Sequence, residues 1–163
     1  MREAARLAVA DPLTGLLNRA GFDRRLREEL DRDHRAGAVP GALVMMDLDR
    51  FKYVNDTWGH LSGDAVVRVI ARFAIRAQVR SYDVPCRIGG DEFAVILPRS
   101  TPEQAEQVCG RILTTFSGTT RVVGEAIVRT TASAGVARIA GSADETMKVA
   151  DLALYTAKDK GRD

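Results

Sequence analysis

The sequence predicts an α/β domain of the α+β kind, a central mixed sheet covered by helices. Two observations point there. Segments with helical spacing alternate along the chain with short apolar, strand-like runs. Two glycine-marked turns, at Gly89-Gly90 and around Gly124-Glu125, split such runs into hairpins, which forces antiparallel pairs into the sheet.

Met1 to Ala10 reads as a short helix entering the domain, with Leu7 and Val9 among its few apolar positions. Residues 11–163 form the domain itself. Pro12 and Gly15 punctuate a turn. Asn18 is placed to cap a helix running to about His34, in which Phe22, Leu26 and Leu30 recur every four residues. After a loop over 35–41, Ala42 to Leu48 is apolar up to its carboxylate, the pattern of a strand buried on both faces. Phe51 to Asp56 is a short helix, and Trp58-Gly59-His60 a turn in which Trp58 packs. Leu61 to Val79 is one amphipathic helix carrying Leu61, Ala65, Val69, Ile70, Phe73, Ala74 and Ala77. Val84–Ile88 and Glu92–Leu97 make a two-residue hairpin, with Gly89 and Gly90 supplying the positive φ of such turns. Thr101 to Phe116 is a helix, Arg121 to Val136 holds two strands, and Asp144 to Lys160 is the last helix, with Met147, Ala150, Leu152 and Leu154 apolar.

With 163 residues the chain suffices for one core but hardly for two. A formal charge of +2 is too small to argue for nucleic acid or an anionic membrane as partner. Any phosphate chemistry must come from placed residues. Cys86 and Cys109 lack metal-ligand spacing and read as reduced thiols of a cytoplasmic protein, a disulfide being the alternative. No apolar run reaches the length of a membrane span.

The chemistry begins at Asp47-Leu48-Asp49. A carboxylate at a strand end is held by rigid backbone, a good position for a hard-cation ligand. An isolated Asp-x-Asp is more often a turn cap, and it also occurs in nucleotide-sugar glycosyltransferases. Gly89-Gly90-Asp91-Glu92-Phe93 offers a turn that a phosphate or base can approach closely. If the strand ending at Asp47 lies beside this hairpin, Asp47 and Asp91 converge, a costly pairing unless a divalent cation sits between them. Lys52 and Asn55 stand three apart on one helix, and a lysine there can contact a triphosphate. Asp64, near a helix start, suits the macrodipole and is equally able to accept from a guanine edge.

Taken together, Asp11-Pro12-Leu13-Thr14-Gly15-Leu16-Leu17-Asn18-Arg19, Asp47 to Asp56, Gly59-His60-Leu61-Ser62-Gly63-Asp64, Arg87 to Phe93, Ser133 to Ala137 and Ala150 to Arg162 resemble the GGDEF-domain signatures, in order and without a missing block. That family has a five-stranded sheet wrapped by helices, related to adenylyl cyclase and polymerase palm domains, and makes cyclic di-GMP from two GTP.

The resemblance implies two Mg²⁺ ions per site, with Mn²⁺ a substitute, held by Asp47, the Leu48 carbonyl and Asp91. Glu92 ranks second, because strand alternation sends it to the opposite face from Asp91. It implies Asp91 as proton acceptor and Lys52 as stabiliser of the phosphoryl group, with Lys158 and Arg162 as further phosphate contacts. Asn55 and Asp64 read the guanine, Phe51 and His60 line the site, and Gly89 and Gly90 form the substrate turn. One domain holds one GTP, so the active unit is a homodimer. Arg80-Ser81-Tyr82-Asp83 stands at the offset of the family's inhibitory Arg-x-x-Asp motif. There Arg80 and Asp83 bind the product cyclic di-GMP, with Arg111 as a second arginine from a neighbouring domain. The rival reading is a module that senses GTP or cyclic di-GMP without turnover.

Overall fold

The structure, a computed structural model, describes residues 8–33, 37, 39–117, 121–123, 126–128 and 130–161. In chain order its elements are α1 (Arg19–Asp33), β1 (Ala42–Leu48), α2 (Phe51–Trp58), α3 (His60–Val69) running into a π-helical stretch (Ile70–Ile75), β2 (Val84–Arg87), β3 (Glu92–Leu97), α4 (Pro102–Ser117), β4 (Arg121–Val123), β5 (Ala126–Val128), β6 (Ala132–Arg138) and α5 (Ala143–Gly161). No helix among the described residues is long and apolar enough to cross a membrane.

The sheet has the strand order β2-β3-β1-β6, and every neighbouring pair is antiparallel. β1 lies inside it, and its side chains alternate between two cores. Val44, Met46 and Leu48 join Phe93, Val95 and Leu97 under α3, the π stretch and α4. Leu43 and Met45 join Ala94 and Ile96 under Phe22, Leu26 and Leu30 of α1 and Ala150 of α5. Burying each large side chain contributes roughly 1.5–3 kcal/mol, which is what holds the helices on the sheet. Asp47 is next in the series Leu43, Met45, and so falls on the α1 and α5 side.

Local signals set the helix starts. Gly21 N–H donates to the Asn18 side-chain oxygen at 3.0 Å, the cap expected for α1. Thr101 and Gln104 exchange reciprocal side-chain to backbone bonds of 2.9 and 3.1 Å ahead of α4, a capping box. α5 lies unusually close to β6 because of Gly135: a Cβ there would stand 2.3 Å from both the Ala150 carbonyl oxygen and the Leu154 nitrogen.

The structure departs from expectation in several places. Residues 1–7 of the expected entry helix lie outside the described residues, and 8–10 form a turn and a bridge from Ala10 to Leu17. The sheet has four described strands rather than five, and its one parallel pairing among the described residues is the isolated bridge from Leu17 to Cys86. The segment 121–136 contributes not two strands but three: β4 and β5 form a separate ribbon, and β6 starts in the main sheet.

The expected 61–79 helix is interrupted. Arg76 N–H donates to Ala71 C=O at 3.0 Å, one residue further back than in an α-helix. Within this stretch Ile70, Ala71, Ala74 and Ile75 are buried while Phe73 is 55% exposed; Leu61, at the start of α3, is 85% exposed. Trp58, expected to pack, is 39% exposed.

The glycine hairpin is also different. β2 ends at Arg87 and β3 starts at Glu92, with Ile88 N–H donating to Glu92 C=O at 2.9 Å. The connection is therefore Ile88 to Asp91, and neither Gly89 nor Gly90 has a positive φ. What glycine provides here is room. A Cβ on Gly89 would press on the Glu92 carboxylate at 3.2 Å, and one on Gly90 would meet nothing within 4 Å.

Candidate active site

The sheet register brings the acidic residues together. Asp47 on β1 is paired with Glu92 on β3, and directly opposed residues share a sheet face. Glu92 therefore lies on the Asp47 side of the sheet, whereas alternation from Asp91 had sent it to the opposite face. Alternation from Asp91 misleads because Asp91 precedes the strand. Its carbonyl accepts the Leu48 N–H at 3.0 Å, which docks the glycine connection onto the end of β1.

Asp47 is the most perturbed carboxylate of this group. Burial, then the charge of Asp91 and less so of Glu92, push its pKa to about 7, against the opposing pull of Lys158. Its Oδ1 is buried and has no hydrogen-bond partner. Its Oδ2 is 3.6 Å from Lys158 Nζ.

Asp49, two residues on, is arranged in the opposite way. Its Oδ2 accepts from Thr131 Oγ1 at 2.6 Å, and its Oδ1 from Ser133 Oγ at 2.8 Å and Lys158 Nζ at 3.2 Å. Burial would raise its pKa, but these three donors hold it below the usual carboxylate value. Sequence reasoning named Asp49 in the Asp47-Leu48-Asp49 pair and Ser133 in a motif without giving either a role, and it passed over Thr131. They meet only through the pairing of β1 with β6, for which local sequence carries no signal.

Arg50 links β1 to α2 in the left-handed conformation, with φ 54° and ψ 35°. A non-glycine residue there costs about 1 kcal/mol, and the turn it makes starts α2 immediately after the strand. Lys52 is on the exposed surface of α2, His60 is exposed at the start of α3, and Phe51, Asn55 and Asp64 are half-buried. The two helices touch at Gly63, where a Cβ would lie 1.9 Å from Asn55 Oδ1 and 3.2 Å from Phe51 Cζ. Asn55 and Phe51 are thereby brought beside the residue preceding Asp64. Arg162 lies outside the described residues.

A second group escaped sequence reasoning. Arg87 Nη1 pairs with Asp11 at 3.2 Å, and its Nη2 donates to Gly90 C=O at 2.8 Å. Asp11 also accepts from Thr14 N–H and Oγ1, at 2.9 and 2.7 Å. The turn near the start of the domain is thus tied through one guanidinium to the glycine connection. The quoted motifs contain both residues, but nothing local shows that they touch.

Arg80 and Asp83 form a closed turn. Asp83 is 7% exposed, and its Oδ2 accepts the Arg80 N–H at 2.7 Å, while Asp83 N–H donates to Arg80 C=O at 3.0 Å. Burial raises the Asp83 pKa, with the Arg80 hydrogen bond and charge opposing. The Arg80 guanidinium is exposed, 5.4 Å from the Tyr82 ring centre and bonded to its hydroxyl. Arg111 is exposed on α4 among Gln78, Gln107 and Thr114. Cys86 and Cys109 are free and buried; burial raises their pKa to about 12 and about 11, which makes them poor nucleophiles.

The Asp47 group fits a hard divalent cation. A buried carboxylate oxygen without a partner, beside a second carboxylate, is a cost that such an ion removes. Among the described residues no three His, Cys, Asp or Glu side chains form a ready-made cage.

An antiparallel sheet between helices, with this carboxylate pair and lysine at the end of its central strand, defines a candidate cation and polyphosphate site. The profile described as "Diguanylate cyclase, GGDEF domain" matches residues 8–163, and the chain belongs to that family. It is 39% identical over 158 residues to the diguanylate cyclase DgcP of Pseudomonas aeruginosa, covering 96% of this chain and 23% of that protein. Among solved structures it is similar to diguanylate cyclase SiaD of Pseudomonas aeruginosa in complex with its activator SiaC, with 42% identity, a TM-score of 0.90, and coverage of 98% and 62% of the two chains. It is also similar to the coiled coil and GGDEF domain of DgcB from Caulobacter crescentus in complex with c-di-GMP, with 32% identity, a TM-score of 0.92, and coverage of 98% and 85%. The chain spans between 15% and 35% of the length of the first curated relatives that it matches.

Proposed function

We propose that this chain is the catalytic domain of a diguanylate cyclase, which condenses two GTP into cyclic di-GMP and releases two pyrophosphates. The observation that carries this reading is the meeting of Asp47, Asp91 and Lys158 at one end of the sheet, with Asp47 Oδ1 buried and unpartnered. Family membership and a neighbour solved with c-di-GMP support it.

Asp47, the Leu48 carbonyl and Asp91 would hold Mg²⁺, with Glu92 beside them. When bound, the ions neutralise the triphosphate and polarise its α-phosphoryl group. Lys52 and Lys158, with Arg162, add positive charge where the phosphoryl oxygens gather it. Asn55 and Asp64 select guanine by hydrogen bonds to its edge, with Phe51 and His60 at the margin of the site. Asp91 takes the proton from the 3′-hydroxyl of one GTP as that oxygen bonds to the α-phosphorus of the other, and the bond to pyrophosphate breaks. Repeating this with the roles exchanged closes the ring. Each domain carries one GTP, so two copies must face each other, a homodimer whose formation sets the effective concentration of the reactants.

Product would inhibit by binding at Arg80, whose guanidinium is exposed, with Arg111 of a neighbouring domain. The chemistry is that of a cytoplasmic GTP-consuming enzyme.

The test is incubation of concentrated protein with GTP and Mg²⁺, nucleotides resolved by chromatography, beside Asp91→Ala. Cyclic di-GMP and pyrophosphate from the parent alone support the reading. Bound GTP without product, even after dimerisation is forced by a fused coiled coil, would establish a sensor instead.

A further inference from the structure

The two carboxylates of Asp47-Leu48-Asp49 are held for different partners. Both oxygens of Asp49 accept from side-chain donors: Thr131 on Oδ2, Ser133 and Lys158 on Oδ1. Its main chain is fixed as well, since Asp49 N–H donates to Thr131 C=O at 2.8 Å and its carbonyl accepts from Thr130 Oγ1 at 3.0 Å. Asp47 keeps one oxygen bare. Lys158 stands between them, 3.2 Å from Asp49 and 3.6 Å from Asp47, and only the shorter contact has hydrogen-bond geometry.

From this geometry we infer that Asp49 is a positioning residue, oriented by the Thr131 and Ser133 hydroxyls, which tethers the Lys158 ammonium at the triphosphate end of the site. The inference rests on the proposed reading of that site as one for GTP. The physical need is clear. Lysine is a point charge on a four-carbon stem, and about 2 kcal/mol of rotamer entropy opposes holding it in one place. Lys158 has two anions to choose from, and if Asp47 were its main partner, a cation arriving at Asp47 would leave it unguided. Tethered to Asp49, it keeps its place whether or not Asp47 is occupied. The hydroxyls of Thr131 and Ser133 matter because they hold the Asp49 oxygens in one orientation. Asp49 thus acts through Lys158 and does not itself touch nucleotide or cation.

The experiment follows the Lys158 ammonium directly, by nitrogen-15 NMR of lysine-labelled protein at low temperature, its resonance assigned by its loss in Lys158→Met. The expected result is a signal protected from exchange in the parent and in Asp47→Asn, and broadened away in Asp49→Asn and in the double variant Thr131→Val, Ser133→Ala. The double variant keeps every charge in place, so it answers even if Asp49→Asn folds poorly. A signal that survives loss of Asp49 or of both hydroxyls, and vanishes with Asp47→Asn, would overturn the inference.

The second readout is GTP affinity by calorimetry. Asp49→Asn and Lys158→Met should each weaken binding about tenfold or more, the scale of one charge-assisted hydrogen bond, and the combined variant no further than Lys158→Met alone. Losses that multiply would mean that Asp49 acts on its own, and the positioning role would fall. A parent that binds no GTP yet keeps the NMR pattern would sink the cyclase reading while upholding the tether.

Discussion

Asp47 and Glu92 face each other across β1 and β3, and their two carboxylates share one side of the sheet at its end. With Asp91 close by, Asp47 has two acidic neighbours set against the Lys158 ammonium, and their contributions are ranked, Asp91 above Glu92. Neutralising Glu92 as Glu92→Gln should therefore lower the Asp47 pKa, and Asp91→Asn should lower it more. A carboxyl-carbon NMR titration of Asp47 reads both. Equal or reversed shifts would contradict the arrangement.

The same perturbation sets a pH dependence of stability. Asp47 titrates near 7 in the folded domain against an ordinary 3.8. The folded state therefore holds an extra proton between those values, so in metal-free buffer this group lowers stability as pH rises from about 4 to about 7, and the loss is complete above that. Asp47→Asn should flatten that dependence and raise the Tm near pH ~8 by roughly 3–6 °C, the shift expected from one to two kcal/mol in a domain of this size. Thermal melts of parent and variant on both sides of neutrality check it, and a variant melting below the parent in alkaline buffer would refute it.

Gly63 separates stability from binding. In a helix interior alanine is favoured over glycine by about 1 kcal/mol, so folding of Gly63→Ala should change little. Its new methyl would stand 1.9 Å from Asn55 Oδ1, which must swing away. GTP affinity should fall about tenfold, the cost of one lost base hydrogen bond, with the melting curve near that of the parent. Unaltered affinity would remove Asn55 from the guanine site.

Gly135→Ala should behave in the reverse manner. Its methyl collides with the α5 backbone at Ala150 and Leu154, which cannot rotate out of the way as a side chain can. About 3 kcal/mol of stability should be lost in urea unfolding. Gly110→Ala, exposed in the interior of α4 with nothing within 4 Å of the new atom, is the control and should gain about 1 kcal/mol.

The guanidinium of Arg87 spans Asp11 and Gly90, a reach that a lysine's single ammonium cannot reproduce. Arg87→Lys should cost about 2 kcal/mol of stability and slow turnover by loosening the glycine connection, with KM less affected than kcat. Arg80→Ala, at an exposed side chain, should leave stability unchanged and relieve inhibition by cyclic di-GMP. Inhibition that persists in that variant would dismiss the Arg80 site.

Much of the fold was legible because it is local. The Asn18 cap, the apolar run of β1 and the limits of α4 and α5 follow from spacing and end residues, which act within one turn or one strand. The single helix expected from Leu61 to Val79 was interrupted from Ile70 by a π stretch, which spacing alone does not signal. The turn at Gly89 and Gly90 was misjudged for a local reason: neither glycine takes a positive φ, and Gly89 instead leaves room for the Glu92 carboxylate.

The candidate site residues were likewise named from the sequence, since Asp47, Asp91, Lys52, Asn55, Asp64 and Lys158 stand in motifs that can be read off in order. Their grouping was not. Only the antiparallel register decides that Glu92 joins Asp47, only the β1 and β6 pairing brings Thr131 and Ser133 to Asp49, and only the packing of α5 on Gly135 carries Lys158 to both carboxylates. Periodicity and turn chemistry act over a few residues and are written in the chain. Register and helix placement are settled by burial and hydrogen-bond satisfaction between segments far apart in the chain, as the separations of 84 between Asp49 and Ser133 and 109 between Asp49 and Lys158 attest.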